Sequence, residues 1–332
     1  MRIVLLPFSR LDSKDIRACV ILTLFFGFLA GLAGLGLATR LEQANRLKAL
    51  LESKSCQKCD LDGARLVKAN LKQAKLEDAT LRGANLREAS LQNASLLRAI
   101  LSEANLTQAN LNGANLDEAI LNQVNLTKAE LTETDFSGAY LGDSIFQEAS
   151  MVGVNLSEAN LTRANLSLAN LRDANLGDAI LTRANLRAAD LRRADLGGAD
   201  LNNAILSEAN LNRATLPKAN LTRADLTRVD LQDANLGGAD LSVINFTGAN
   251  LSRAYLGEAD LSQSNLSGVN LSAAILARAD LSDSNLSGAN LTGVNLRRAD
   301  LSGANLSGAN LSDAKFCRTK MPDGSTNNRD CS

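Results

Sequence analysis

Residues 101–120 read LSEANLTQANLNGANLDEAI, and the pattern of this stretch repeats with a fixed period of five along most of the chain. A small residue, usually Ala, is followed by Asn or Asp, then by a large apolar residue and two variable polar residues. In steps of five from Leu61 to Phe316 there are 52 apolar centres, and 47 of them are Leu. The other centres are Phe136, Phe146, Met151, Phe246 and Phe316.

A period of five matches neither the 3.6 of an amphipathic helix nor the 2.0 of an ordinary strand. Residues two apart in an extended backbone share a face, so the small residue and the central Leu point to the same side. The remaining places favour turns, because Asn, Asp, Ser and Gly side chains or backbones suit them. A short fixed repeat is typical of a solenoid, whose core forms only when neighbouring units stack. The sequence therefore predicts an all-β solenoid in which each unit supplies one face and one corner.

The repeat resembles that of the pentapeptide-repeat family, and the resemblance covers about three-quarters of the chain. It implies a right-handed quadrilateral β-helix with four units per coil, in which the central residue and the small residue point inward. With four units per coil the 52 units form 13 coils, and a spacing of ~4.8 Å per coil gives a rod roughly 60 Å long. We assign the β-helix to residues 56–316 and a C-terminal cap to residues 317–332.

The N-terminal region differs in composition from the repeat. Residues 1–17 form a charged arm, whereas residues 18–39 carry no charge. As a helix, the uncharged segment would reach ~33 Å, which is enough to cross a bilayer core. We therefore predict a transmembrane helix or uncleaved signal anchor there. The alternative is a cleaved signal peptide, because residues 36–38 read Gly-Leu-Ala, which is typical of a cleavage site.

Residues 40–55 are predicted to form a short helix between that segment and the β-helix. One of its faces carries Leu41, Ala44, Leu47 and Leu51. Because the first coil of a solenoid has an uncovered core, we expect this face to lie over it as a cap. The alternative is a connecting stalk.

Four cysteines stand at the ends of the predicted rod: Cys56, Cys59, Cys317 and Cys331. The rod length implied by the resemblance exceeds disulfide reach, so within one chain only Cys56–Cys59 and Cys317–Cys331 can form. We predict that at least the second pair is oxidised, which favours a single-pass membrane protein with its repeat domain in the periplasm or lumen. The alternatives for Cys56 and Cys59 are a zinc site or a redox site, although each end offers only two sulfurs.

Composition narrows the function classes. The chain contains no His, so neither a Ser-His-Asp nor a Cys-His site can be built, and we predict no catalytic, cofactor or metal site. Between residues 60 and 316 there are 23 basic and 30 acidic residues, and they are well mixed. Such a surface disfavours nucleic-acid binding. The sequence therefore predicts a protein that is not an enzyme and has no small-molecule substrate.

One column of stacked outward positions departs from the Asn or Asp of the repeat. With four units per coil it contains Ile100, Ile120, Tyr140 and Ile180, and Ile145 lies in a neighbouring column. We predict that these five residues form a contact strip for a protein partner, a second rod or lipid. The alternative is that exposed isoleucines are ordinary on β surfaces. On the inside, Phe136 and Phe146 lie half a coil apart and are expected to meet across the core.

The predicted function is a membrane-tethered, non-enzymatic structural or interaction module that presents a rigid rod for contact with an unknown protein or a second copy. The membrane contact would be made by residues 18–39. The resemblance alone supplies the alternative, which is a DNA-mimicking inhibitor of DNA gyrase. Among family members, the chain is most similar to exported or membrane-anchored cyanobacterial proteins of unassigned activity.

Overall fold

The computed structural model describes residues 45–331 of the chain. The chain divides into two units, Met1–Lys48 and Ala49–Ser332, and only residues 45–48 of the first are described. Helix α1 covers residues 45–53. Strands β1 (Thr319–Lys320) and β2 (Thr326–Asn327) form an antiparallel pair near the C-terminus. The repeat lies between α1 and β1.

The repeat forms a parallel β ladder wound in regular coils. Single bridges join each outward residue to the outward residue four units later, from Ser55 with Lys75 to Asp300 with Lys320. Four five-residue units therefore make one coil, and the predicted quadrilateral β-helix is confirmed. The central leucines from Leu61 to Leu301 are 0–2% exposed, because they fill the interior of the coil.

The backbone explains why Asn or Asp precedes each centre. In the unit around Leu106, the amides of Asn105, Leu106 and Gln108 donate to carbonyls of adjacent coils over 2.7–3.0 Å. The Ala109 amide donates to the Leu106 carbonyl across the corner. The Thr107 amide has no such carbonyl and donates instead to Asn105 Oδ1 over 3.0 Å. One backbone amide of each unit has no partner in the ladder, and the Asn side chain accepts its hydrogen bond.

Each corner requires a left-handed residue two places after the centre. Long polar side chains occupy most of these places, as at Gln108 with φ 58° and Arg183 with φ 59°. Such a conformation costs a non-glycine residue about 1 kcal/mol, and the ladder bonds on both sides enforce it. Glycine fills others, such as Gly113 with φ 66°.

The interior adjusts to larger centres by pairing them. The rings of Phe136 and Phe146 meet edge to face with centroids 6.2 Å apart, which confirms that they meet across the core. The small positions that precede them hold buried Thr134 and Ser144. Their hydroxyls donate to backbone carbonyls over 2.9 and 2.6 Å, so neither hydroxyl is buried without a partner.

Helix α1 lies at the N-terminal end of the β-helix unit, and the segment after Phe316 lies at its C-terminal end. At the N-terminal end Leu50 is fully buried, whereas Leu51, which we expected on the covering face, is 40% exposed. That expectation is wrong, because successive helical residues point about 100° apart and Leu50 occupies the inward direction. Leu41 and Ala44 lie outside the described residues. At the C-terminal end the Arg329 guanidinium covers the Phe316 ring at 4.9 Å.

The predicted localisation, a single-pass membrane protein with its repeat domain in the periplasm or lumen, is contradicted. Among residues 45–331 no helix has the length and apolar character needed to cross a bilayer. Within the described residues helix α1 has the nine residues 45–53, against about 20 residues for a transmembrane helix. Residues 18–39, on which the prediction rested, lie outside the described residues.

Candidate protein-contact strip

Four of the five residues of the contact strip stack in one column. Bridges connect Ile100 to Ile120, Ile120 to Tyr140, and, through Asn160, Tyr140 to Ile180. We call this set the apolar column. Ile100 and Ile120 are half-buried by their neighbours, whereas Tyr140 is 53% exposed and Ile180 is 41% exposed. Ile145 is exposed as well, but it lies on the next face, between Asn125 and Asn165.

The apolar column gives up the hydrogen bond that defines the repeat. Ile and Tyr carry no side-chain acceptor in reach of the amide two places later, so that amide loses its usual partner. After Tyr140 the Gly142 amide donates instead to Asn122 Oδ1 of the preceding coil, over 3.0 Å. A hydrogen bond of this kind contributes about 0.5–1.5 kcal/mol. Except after Tyr140, where Asn122 replaces the lost acceptor, the chain therefore gives up this stabilisation while it exposes apolar surface.

A line of charged residues runs beside the apolar column and was missed in the sequence. A shallow groove lies between Ile100, Ile120 and Tyr140 on one side and a second column on the other. That second column, which we call the rim column, lies two residues before the apolar one and runs in the order Lys58, Asp78, Arg98, Glu118, Gly138 and Glu158. A search of the positions two places before each strip residue would have found it.

Charges in the rim column are only partly neutralised within the chain. Arg98 binds Asp78 through two hydrogen bonds of 2.8 and 3.1 Å, and these hold the pKa of the Asp78 carboxyl below its usual value. Glu118 and Glu158 form no ion pair with any residue of the described part of the chain, and neither does Lys58. All three are exposed. The rim therefore offers exposed charges of both signs that are not in salt-bridge contact with other described residues, next to an apolar surface.

Further along the same face the outward positions are acidic. We call Asp200, Asp240, Asp260, Asp280 and Asp300 the aspartate column. Burial acts to raise the pKa of Asp240, but hydrogen bonds from the Ser242 hydroxyl and amide outweigh it and the pKa is lowered. The same balance, with Ser302 as the donor, lowers the pKa of Asp300. Asp240 and Asp300 are therefore ionised at neutral pH, and the aspartate column places carboxylates along one end of the face.

A second exposed aromatic residue is engaged within its own chain. The Tyr255 side chain lies close to Gly237 and Gly257, where a Cβ on either glycine would come within 2.7 and 2.6 Å of a ring carbon and the hydroxyl, respectively. Any larger residue at either glycine would displace the ring. Tyr255 therefore differs from Tyr140, which has Gly138 beside it and open groove around it.

The four terminal cysteines form two disulfides, Cys56–Cys59 and Cys317–Cys331. Bonded sulfurs cannot also ligate zinc as thiolates, so the zinc alternative for Cys56 and Cys59 is not supported. In the part of the chain that the structure describes, no group of three or more acidic, His or Cys residues is placed to hold a metal ion.

Comparison with known proteins agrees with this architecture. A family model described as pentapeptide repeats matches eight times, at residues 55–93, 99–138, 109–147, 134–173, 169–207, 204–242, 244–283 and 284–321. A comparison with curated proteins found no match. The chain belongs to the pentapeptide-repeat family.

Solved structures add individual relatives. HetL from the cyanobacterium Nostoc sp., which is described as involved in the regulation of heterocyst differentiation, is 37% identical over 73% of this chain and 91% of its own, with a TM-score of 0.37. A pentapeptide repeat protein of the Arabidopsis thaliana thylakoid lumen is 28% identical over 33% of this chain and 66% of its own, with a TM-score of 0.16. QnrB1, a plasmid-mediated fluoroquinolone resistance protein, is 20% identical over 56% of this chain and 86% of its own, with a TM-score of 0.30.

Proposed function

We propose that the protein is a non-enzymatic interaction module, in which a rigid β-helix presents the contact strip to another protein. Proteins of this family are generally structural or interaction modules rather than enzymes. The observation that carries the proposal is the exchange of Asn or Asp for Ile or Tyr at Ile100, Ile120, Tyr140 and Ile180. Each exchange removes the side-chain acceptor that the repeat supplies to the amide two places later, and four of them fall in one stacked column.

The surroundings of the strip suit protein contact. Protein interfaces combine an apolar centre that contains aromatic residues with a charged or polar rim. Here Tyr140 is the exposed aromatic residue, and the exposed carboxylates of Glu118 and Glu158 lie next to it. Backbone hydrogen bonds hold the coils along their whole length, so the strip is already ordered before a partner binds. Binding therefore costs little conformational entropy in this chain.

The test is to restore the repeat at the strip. The triple variant I100N/I120N/Y140N replaces strip residues with the residue that the repeat itself prefers, so it should fold with an unchanged or higher melting temperature. We expect it to lose the proteins that the wild-type chain retains in quantitative affinity enrichment, including other copies of itself. The matched control I205N/I275N changes exposed isoleucines outside the column and should retain them. Identical sets of retained proteins for all three would reject the proposal.

A second candidate function is a DNA-mimicking inhibitor of DNA gyrase, and the aspartate column is the observation that favours it. Its carboxylates from Asp240 to Asp300 repeat every ~4.8 Å along one face, in a regular line of negative charge. Gyrase supercoiling assays with the wild-type protein and with D240N/D260N/D280N/D300N test this function. Inhibition that disappears in the variant would support it, and absence of inhibition by the wild type would remove it.

A further inference from the structure

The charges of the rim column specify an occupant for the contact strip. Along the column the side chains alternate as positive Lys58, negative Asp78, positive Arg98 and negative Glu118, and then come Gly138 and negative Glu158. Adjacent members are separated by one coil, or ~4.8 Å. If a second copy of the column is placed against it in the reverse direction, opposite charges can face each other, provided that the two columns are aligned at the right coil. The inference below rests on the proposed function, because it names the partner of the same strip.

We propose that the occupant is a second copy of this chain, packed face to face and antiparallel through a two-fold axis between the coils of Ile100 and Ile120. A two-fold axis that lies in the interface and perpendicular to the rods brings each column onto the same column of the partner in reverse order. Ile100 then faces Ile120 of the partner subunit, and Tyr140 faces Thr80 of the partner subunit. Ile100 and Ile120 thereby cover each other across the axis, and Tyr140 is covered by Thr80 of the partner subunit.

The same register pairs opposite charges in the rim column. Arg98 faces Glu118 of the partner subunit, and Lys58 faces Glu158 of the partner subunit. Asp78, which already binds Arg98 of its own chain, faces only Gly138 of the partner subunit. By symmetry each ion pair occurs twice. Glu118, Glu158 and Lys58, which lack an ion pair in the described chain, all gain one.

Several other arrangements place like charges together, and an axis between the coils of Thr80 and Ile100 sets Ile100 against Thr80 of the partner subunit and Ile120 against Asp60 of the partner subunit instead of covering isoleucine with isoleucine. Moving the axis to Ile120 sets Glu118 against itself and Asp78 against Glu158 of the partner subunit. Moving it between Ile120 and Tyr140 sets Asp78 against Asp178 of the partner subunit. A parallel arrangement lays the aspartate column against itself over its full length. Like charges in contact across an interface are costly, so the arrangement centred between Ile100 and Ile120 is favoured.

The aspartate column stays in solvent in this arrangement. The two rods overlap over six coils, from the coil of Lys58 to the coil of Glu158, which is a length of about 29 Å. Ile180 and the aspartate column lie beyond the overlap. A contact that is one face wide and only six coils long is smaller than a standard stable interface, so we expect a weak dimer that forms as the concentration rises.

A zero-length carbodiimide cross-link tests the register directly. Lys58 and Glu158 stand five coils apart in one chain, about 24 Å, so an amide bond between them can form only between two copies. In the full-length protein at concentrations where sedimentation shows a dimer, mass spectrometry should find a peptide that joins Lys58 to Glu158. A dimer without this cross-link, or one with Glu118 cross-linked elsewhere, would overturn the inference.

Charge reversal provides the matching functional test. K58E and E158K should each weaken the dimer by roughly tenfold or more, because each turns two attractive pairs into repulsive ones. The double variant K58E/E158K should return to within about threefold of the wild type. E148K makes the same change half a coil away, on the opposite corner, and should leave the dimer unchanged. Single variants that do not weaken the dimer, or a double variant that stays as weak as the singles, would refute the pairing.

The outcomes separate this inference from the proposed function. A wild-type chain that stays monomeric at high concentration overturns the dimer, yet the strip can still be shown to bind another protein by the enrichment experiment with I100N/I120N/Y140N. If the triple variant still forms a dimer, the dimer does not use the strip, and the inference is overturned as well. Loss of the dimer in the triple variant, together with rescue by K58E/E158K in the charge series, supports both.

Discussion

The disulfide Cys317–Cys331 should stabilise the C-terminal end of the β-helix locally rather than the whole rod. Its cysteines have a sequence separation of 14, and the segment between them contains the β1–β2 hairpin. Beside the disulfide the Phe316 amide donates to Asp330 Oδ2 and the Asp330 amide donates to the Phe316 carbonyl, both over 2.8 Å. Chain-entropy arguments give a loop of this size about 3 kcal/mol of stabilisation. The variant C317S/C331S should lose that amount at the cap.

Amide hydrogen exchange is the appropriate assay, because in a solenoid each coil contacts only its neighbours and its end can open alone. A loss of about 3 kcal/mol corresponds to roughly a hundredfold faster exchange at the amides of Phe316 and Asp330. The Leu186 amide, in the middle of the ladder, should exchange at its wild-type rate. The matched variant C56S/C59S opens a much shorter loop, with a sequence separation of 3, so its effect should be about 2 kcal/mol and confined to the first coil.

Exchange at Phe316 and Asp330 that rises by less than about threefold in C317S/C331S would refute the reasoning. Equal acceleration at Leu186 would refute it too, because it would mean that the disulfide supports global stability instead of the end.

Two further predictions concern the core and pH. Leu176→Ala should lower the free energy of unfolding by about 3–5 kcal/mol, because Leu176 is fully buried. Leu168→Ala makes the same change at a side chain that is 54% exposed and should cost no more than about 0.5 kcal/mol. Urea unfolding of both variants checks this prediction, and similar losses would contradict it. The lowered pKa values of Asp240 and Asp300 stabilise the fold at pH values above the unfolded-state pKa of about 4, and this stabilisation is lost as pH falls through the folded-state pKa. The difference in melting temperature between pH 7 and pH 3 should therefore be smaller in D240N/D300N than in the wild type. An unchanged difference would be inconsistent with these pKa shifts.

The membrane prediction rested on composition alone, and no helix among the described residues supports it. The uncharged run of residues 18–39 satisfies the length rule for a bilayer, but the rule describes what a helix of that sequence could do and does not show that such a helix forms. Leu51 gives a smaller case of the same kind. Its spacing from Leu47 placed it on a shared face, yet the direction that meets the core belongs to Leu50.

The sequence predicted the apolar residues of the contact strip but not the charged residues beside them. The apolar column could be found because Ile100, Ile120 and Tyr140 break a strict pattern at intervals of one coil. Its charged rim breaks no pattern, because the positions after each centre vary along the whole chain; a search two places before each strip residue finds these charges but does not show that they line a groove. Only the groove between Tyr140 and Glu158 shows that these two kinds of position line one surface.

The sequence by itself determined the period and the inward residues, because a fixed spacing of small and large apolar side chains places both on one face of an extended backbone. The four units per coil, and with them the number of coils, came from the family resemblance and are set by the bridges between residues 20 apart. It also determined the partner of each cysteine once the rod length was known. Tertiary structure decided what lies side by side on the surface and which helical residue meets the open end of the core. These features depend on where side chains project from a coil in space, and residues four units apart in the chain become neighbours only after the coil has formed.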